Sequence, residues 1–158
     1  DAFVFTCRSR RPPLDNVNAL LSFAYSLLAS DCAAALEGAG LDPYVGFLHR
    51  ARPGRRSLAL DLMEELRTVL ADRFVLSCIN QKVLNAKHFE KQENGAVLLT
   101  EEGRRAFLNA WQQKKREVIT HPFLKEKLCW GLVPYVQALL LARTLRGDLE
   151  VYPPFFWK

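Results

Sequence analysis

The sequence predicts an all-α fold: a mainly helical, bundle-like domain with one small β-hairpin near residues 89–99. Two long segments repeat apolar residues at the 3.6-residue period of an α-helix. An Asn-Gly pair between two alternating segments is the strongest short-range hairpin signal in the chain. With 158 residues, 49% of them hydrophobic and 25% charged, the chain is long enough to form one folded domain with its own core.

The first helix is expected to follow an Arg-Pro-Pro run, which disfavours helix and marks a boundary after residue 14. Asp15 can cap its first amides, and its apolar positions recur until Gly38 and Gly40 end it. The longest apolar run, residues 19–28, is interrupted by serines and is shorter than the roughly 20 residues of a membrane-spanning helix. We therefore expect no membrane association.

A second helix is expected from Ser57, as its cap, to about Arg73, after an Arg-rich loop that contains Pro and Gly. Its buried stripe is predicted to comprise Leu62, Met63, Leu66, Val69 and Leu70. Asp61, Glu64 and Arg67 fall on another side of the helix by the same period. We therefore expect both acids to face away from the main core.

The second half of the chain is expected to be helical except for the hairpin turn at Asn94-Gly95. A helix should start at Thr100 and run through Trp111 toward Glu117, and further helical material should end near Gly147. The tail, residues 152–157, is aromatic and would expose an apolar patch unless it docks. Trp residues are expected in the core or in docking contacts.

Charge and cysteine content limit the class of protein. A net charge of +5 favours a polyanionic partner. The four cysteines, at positions 7, 32, 78 and 129, form neither a CxxC pair nor a zinc-site spacing. We expect reduced, mostly buried thiols and a cytoplasmic protein.

The most informative segment is Gly46–Leu66, which combines metal-ligand and anion-binding residues. Asp61 and Glu64 are three residues apart, so that on a helix they share one surface strip. Together with His49 they would suit Mg²⁺ or Mn²⁺, with phosphate oxygens completing the shell. The candidate phosphate contacts are Arg50, Arg52, Arg55, Arg56 and Arg67. Such a site supports metal-assisted attack on a phosphodiester.

Residue spacing alone leaves structural alternatives open. Acids in the first turns of a helix complement its dipole, and the arginines can form a solvated loop. His49 can be a hydrogen-bonded boundary residue, and His88 and His121 are equally good ligand candidates by composition. Three consecutive basic residues, Lys114, Lys115 and Arg116, can simply end a helix.

Five ordered motifs resemble the CRISPR-associated integrase, the metal-dependent endonuclease and integrase of spacer acquisition, and are most similar to its type I-C branch. The resemblance runs from Arg11 to Lys158 and rests on PPLDNVNALLSFAYSLL, LEGAGLDPYVGFLH, RPGRRSLALDLMEEL, NGAVLLTEEGRRAFLNAWQ and GLVPYVQALLLARTLRGDLEVYPPFFWK. It implies the helical catalytic domain, residues 15–158, preceded by a linker remnant, residues 1–14, from a missing N-terminal β-rich domain.

The resemblance also implies specific roles. It makes His49 and Glu64 metal ligands for Mg²⁺ or Mn²⁺, and Asp61 a supporting or DNA-positioning acid. A third ligand, a glutamate in an E-G motif, matches no residue before Arg11, and Glu37-Gly38 is not that motif. We therefore expect this chain alone to be weakly active.

The implied substrates are double-stranded spacer-precursor DNA and repeat DNA, joined by transesterification from DNA 3′-hydroxyls in antiviral defence. The implied partners are the small second CRISPR adaptation protein and, in the full-length protein, a second copy in a homodimer. The alternative function is a non-catalytic helical module that binds DNA or protein through its basic loop and aromatic tail.

Overall fold

The structure, a computed structural model, describes residues 1–45 and 56–157. Within these ranges the protein is mainly helical with two small antiparallel ribbons, which confirms the predicted fold class and the hairpin near residues 89–99. The elements are α1 (Asn16–Gly38), α2 (Ser57–Leu66), a π-helical segment (Arg67–Asp72), α3 (Arg73–Asn80), a 3₁₀ turn (Ala86–His88), β1 (Phe89–Lys91), β2 (Val97–Leu99), α4 (Glu101–Arg116), β3 (Val118–Thr120), β4 (Lys127–Cys129), a second 3₁₀ turn (Trp130–Leu132) and α5 (Val133–Leu145).

Helix α1 begins and ends where its capping residues predict. The Asp15 carboxylate accepts a hydrogen bond from the Asn18 amide at 2.7 Å, and Gly40 follows the helix with φ of +80°. By length and mean hydropathy (1.5), the 23-residue helix could cross a membrane, and 44% of that apolar window is buried within the protein. The whole helix is thus more apolar than its interrupted central run suggested.

The chain divides into two compact units. The first comprises Asp1–Ser26 and Leu70–Lys114. In its core the Phe74 ring packs against Phe107 in a tilted geometry and against Trp111 edge-on, each with centroids 5.0 Å apart. The β1–β2 ribbon belongs to this unit, and its turn places Gly95 at φ of +87°. This left-handed conformation explains the glycine of the Asn-Gly pair.

The first 14 residues pack along the start of α1. The fully buried Asn18 accepts a hydrogen bond from the Ser9 amide at 2.9 Å and donates one to the Cys7 carbonyl at 2.8 Å. Arg8 donates to the same Asn18 side chain at 2.6 Å. The division into a linker and a catalytic domain at residue 14 remains a prediction.

The second unit comprises Leu27–Val69 and Lys115–Lys158. Helix α2 starts at Ser57 as expected, but Ser57 is its first helical residue rather than its cap, and the cap residue Arg56 makes no side-chain capping hydrogen bond within the described part of the chain. The Pro43 carbonyl instead accepts the amides of Leu58 and Ala59 at 2.8 and 3.2 Å. Beyond Leu66 the helix widens into the π-helical segment, so that the single helix predicted to Arg73 is interrupted.

A second ribbon, β3–β4, lies where helical material was expected after Pro122. His121 makes its turn: the imidazole Nδ1 accepts the amides of Phe123 and Leu124, each at 3.1 Å. Lys125 completes the turn with φ of +61°. Because an imidazole and a left-handed lysine form this turn, it lacks the glycine and asparagine that usually mark one.

Candidate functional site

The predicted strip of Asp61, Glu64 and Arg67 lies on α2 and directly after its end, but Asp61 and Glu64 differ in exposure. Glu64 and Arg67 form an ion pair with Nη2 and Oε2 2.7 Å apart, and each side chain is 33% exposed. Asp61 is only 6% exposed. The expectation that both acids face away from the core is therefore wrong for Asp61.

Asp61 is buried because α2 is covered by the rest of the protein over most of its surface. Its apolar residues Leu58, Ala59, Leu62, Met63 and Leu66 are buried, and so are its polar residues Ser57 and Asp61. The predicted stripe of Leu62, Met63, Leu66 and Leu70 is buried as expected, and Val69 is half-buried. A helix covered on most sides also encloses a polar residue that lies outside its main stripe.

Asp61, Glu64 and Glu65 line the same cleft. Its volume is 570 Å³, and its remaining walls are largely apolar side chains of α2, of the end of α5 and of the C-terminal segment; they include Leu58, Leu62, Leu141, Leu145, Tyr152 and Pro154. Apolar walls exclude water and strengthen electrostatic interactions of the carboxylates. The cleft is therefore a largely apolar pocket with three acids on its α2 side.

His49, Arg50, Arg52 and Arg55 lie outside the described residues, so that their predicted roles remain predictions. Arg56 is exposed immediately before α2. Among the residues that the structure describes, no three His, Cys, Asp or Glu side chains converge as a metal site. The partly exposed carboxylate of Glu64, with Asp61 one turn earlier, nevertheless fits part of the oxygen-rich shell that Mg²⁺ or Mn²⁺ prefers.

Glu65, which the sequence analysis did not single out, accepts several hydrogen bonds from distant parts of the chain. Its two oxygens accept the Tyr152 hydroxyl at 2.8 and 2.9 Å, and Oε1 also accepts the Phe155 amide at 2.8 Å. The amide of the fully buried Gln137 approaches the same oxygen at 3.3 Å. Because every partner donates, Glu65 acts as an acceptor on both oxygens, as an ionised carboxylate does.

Burial perturbs both members of this contact. It raises the pKa of Glu65, although the hydrogen bonds from Phe155, Tyr152 and Gln137 oppose the shift. Burial also raises the pKa of Tyr152, and the neighbouring Glu65 charge raises it further. Tyr152 therefore remains a protonated donor.

The aromatic tail docks, as its composition required. Phe155 is 4% exposed and packs against the rings of His121, Trp130 and Trp157, with centroids 5.4, 5.7 and 6.0 Å away. Phe156 alone of the tail's aromatic residues points outward, with 76% exposure. The tail is thus a structural part of the second unit.

The other candidates have structural roles. His88 accepts the Asn85 amide at 3.0 Å in a capping box, and fully buried His121 contacts Gln137 at 2.7 Å. Lys115, at the basic end of α4, pairs with Asp31 at 3.2 Å. Trp111 and Trp130 are buried, as expected.

The thiols are free in the described residues. Cys32 and Cys78 are buried, Cys129 is partly exposed and Cys7 is exposed. Burial raises the pKa of Cys78 to about 12. The prediction of reduced, mostly buried thiols is confirmed for two of the four.

Comparisons with known proteins identify the family. The family model described as "CRISPR associated protein Cas1" matches residues 1–113. A relative from Rhodospirillum rubrum, named CRISPR-associated endonuclease Cas1 2, is 63% identical over 99% of this chain, which covers 45% of the relative.

Two solved structures share the fold. The structure entitled "Casposase bound to integration product" is 30% identical with a TM-score of 0.80, over 91% of this chain and 42% of that protein. The structure entitled "Partial Cas6-RT-Cas1--Cas2 complex" is 28% identical with a TM-score of 0.80, over 100% of this chain and 46% of that protein. The chain thus spans about half the length of the proteins that it matches.

Proposed function

The chain belongs to the CRISPR-associated Cas1 family, and on that premise we propose that it carries the catalytic domain of a metal-dependent DNA endonuclease and integrase of spacer acquisition. The observation that carries the proposal is the α2 strip: Asp61, Glu64 and Glu65 line one cleft, and Glu64 is partly accessible beside Arg67. An accessible carboxylate with neighbouring acids and an adjacent guanidinium suits both a divalent cation and a phosphate.

In this proposal Glu64 and His49 are ligands of Mg²⁺ or Mn²⁺, and a third ligand lies outside this chain. The bound ion supplies Lewis-acid polarisation of the phosphoryl oxygen and orients the attacking hydroxyl. Arg67 pairs with Glu64 and presents its guanidinium to a phosphate oxygen. Asp61, buried one turn earlier, is the supporting or DNA-positioning acid of the proposal.

The proposed substrate is double-stranded DNA, as spacer precursor and as repeat, in the cytoplasm. The similarity to a casposase bound to an integration product supports DNA joining as the reaction. The similarity to a complex that contains Cas1 and Cas2 supports the small second adaptation protein as partner. A homodimer of the full-length protein and phosphate contacts from Arg50, Arg52, Arg55 and Arg56 complete the proposal.

The test uses the complete protein and Mn²⁺ titration with a DNA integration assay. Glu64→Ala and His49→Ala are expected to abolish Mn²⁺ binding and strand joining. Glu102→Ala removes an exposed acid from α4 and serves as the matched control, with both activities retained. Wild-type Mn²⁺ affinity in Glu64→Ala would rule out this metal site.

A non-catalytic binding module is the second candidate. Exposed Phe123, Val151 and Phe156 border an 870 Å³ groove beside Lys125, which is suited to an interaction. This candidate predicts that Mn²⁺ has no effect on the complete protein while DNA binding survives Glu64→Ala. The same titration therefore separates the two functions.

A further inference from the structure

A buried hydrogen-bond chain connects four separate parts of the second unit. It joins Glu65 of α2, Gln137 of α5, His121 of the β3–β4 turn and Tyr152 of the C-terminal segment. Gln137 and His121 are fully buried. Buried polar chains of this kind hold their members in one arrangement, because any unmade bond leaves a desolvated polar group.

The donors and acceptors permit one direction through the chain. Because Nδ1 of His121 accepts two backbone amides, its proton is on Nε2, which donates to Oε1 of Gln137 at 2.7 Å. The Gln137 amide nitrogen then donates to the Tyr152 hydroxyl at 2.7 Å and to the Pro153 carbonyl at 3.2 Å. The Tyr152 hydroxyl in turn donates to Glu65, so that the chain ends on the carboxylate.

The end of this chain lies next to the proposed metal ligands. Glu65 follows Glu64 directly and is one helical turn beyond Asp61. Tyr152 and Pro154 line the same cleft as these acids. Directly after Leu66 the helix leaves α-geometry for the π-helical segment, so that the contacts of Glu65 lie at the last regular turn of α2.

We propose that Glu65 is a positioning residue that fastens the segment Tyr152–Phe155 to the last turn of α2 and thereby aims Glu64 and Asp61 into the cleft. The proposal rests on the metal site described above. If the Glu65 hydrogen bonds were purely structural, they would stabilise the second unit without affecting metal affinity. If Glu65 positions the ligands, its hydrogen bonds affect both stability and metal affinity, since partners that orient metal ligands typically change metal affinity by about 10- to 100-fold.

The test is Mn²⁺ binding to the complete protein, measured by the electron paramagnetic resonance signal of free Mn²⁺. Tyr152→Phe removes the hydroxyl but keeps the ring that forms the cleft wall, and Glu65→Gln keeps the shape of the acid. Both are expected to weaken Mn²⁺ binding by about tenfold or more. DNA binding measured in EDTA should be unchanged.

The matched control is Leu140→Ala, which removes a buried side chain from α5 outside the hydrogen-bond chain. It should lower the melting temperature at least as much as Tyr152→Phe while leaving Mn²⁺ affinity within about twofold, because it creates a cavity without moving the ligands. Equal weakening in Leu140→Ala and Tyr152→Phe would overturn the proposal, since general destabilisation would then explain both.

Glu64→Ala separates the failure of this proposal from failure of the metal site. If it abolishes Mn²⁺ binding while Tyr152→Phe and Glu65→Gln bind like wild type, the metal site stands and the positioning role is wrong. If Glu64→Ala itself binds Mn²⁺ like wild type, the metal site is wrong.

Discussion

The ion pair between Glu64 and Arg67 predicts that removal of Arg67 has opposite effects on metal and on DNA. The guanidinium lies 2.7 Å from the carboxylate that is proposed to bind the ion, so that the two cations compete for it. Arg67→Ala in the complete protein should therefore strengthen Mn²⁺ binding. It should also weaken DNA binding if Arg67 contacts a phosphate.

The size of each effect follows from the exposure of the pair. Both side chains are 33% exposed, which places the pair among solvent-screened ion pairs worth about 0.2–1 kcal/mol. Releasing Glu64 should therefore tighten Mn²⁺ binding up to about fivefold, and loss of the neighbouring positive charge acts in the same direction. Losing a charge-assisted phosphate contact costs about 1.5 kcal/mol, or about tenfold in DNA affinity.

The assays are calorimetric Mn²⁺ titration and fluorescence anisotropy with a DNA duplex at several salt concentrations. In Arg67→Ala the slope of log DNA affinity against log salt concentration should become shallower by about the contribution of one phosphate contact. Arg105→Ala is the matched control for the metal measurement, because it breaks an exposed pair with Glu101, 3.3 Å apart on α4. Weaker Mn²⁺ binding in Arg67→Ala would refute the competition and show that Arg67 is needed to hold Glu64 for the metal.

Two further predictions concern packing and thiol chemistry. A Cβ at Gly103 would lie 2.6 Å from the His88 carbonyl oxygen, so that Gly103→Ala should reduce the free energy of unfolding by about 1–3 kcal/mol and lower the melting temperature. At Gly38 an added Cβ has ordinary contacts, so that Gly38→Ala should be neutral or slightly stabilising. A melting temperature unchanged in Gly103→Ala would contradict the clash. Because its pKa is about 12, Cys78 should resist maleimide at pH 7–8 and react faster only as the pH rises, whereas exposed Cys7 should be labelled first. Equal labelling of the two thiols in the native protein would contradict this order.

Elements whose ends are encoded by neighbouring residues could be predicted from the sequence. Asp15 caps α1, the Thr100 hydroxyl accepts the Gly103 amide at 3.0 Å at the start of α4, and Gly95 has the left-handed φ that its turn requires. Each of these signals acts over four residues or fewer. The helices and the first ribbon were therefore predictable without tertiary information.

The remaining features depend on contacts between distant residues. The β3–β4 turn uses the His121 imidazole and a left-handed Lys125, neither of which is a usual turn signal. The Glu65 contacts reach Gln137, Tyr152 and Phe155, which lie 72, 87 and 90 residues away in the chain. Gln137, a buried amide among the apolar residues in the first half of α5, was the one local sign of this hydrogen-bond chain.

The two adjacent glutamates of α2 show how local and distant information combine at this site. The sequence Met-Glu-Glu-Leu gives Glu64 and Glu65 the same chemistry, but adjacent residues on a helix point about 100° apart. Glu64 has an accessible partner that a ligand can displace, whereas Glu65 is surrounded by donors whose hydrogen bonds a cation would have to break. This difference supports Glu64 as the ligand and Glu65 as the anchor. Mn²⁺ should therefore be lost completely with Glu64→Gln, whereas Glu65→Gln should leave a weaker site.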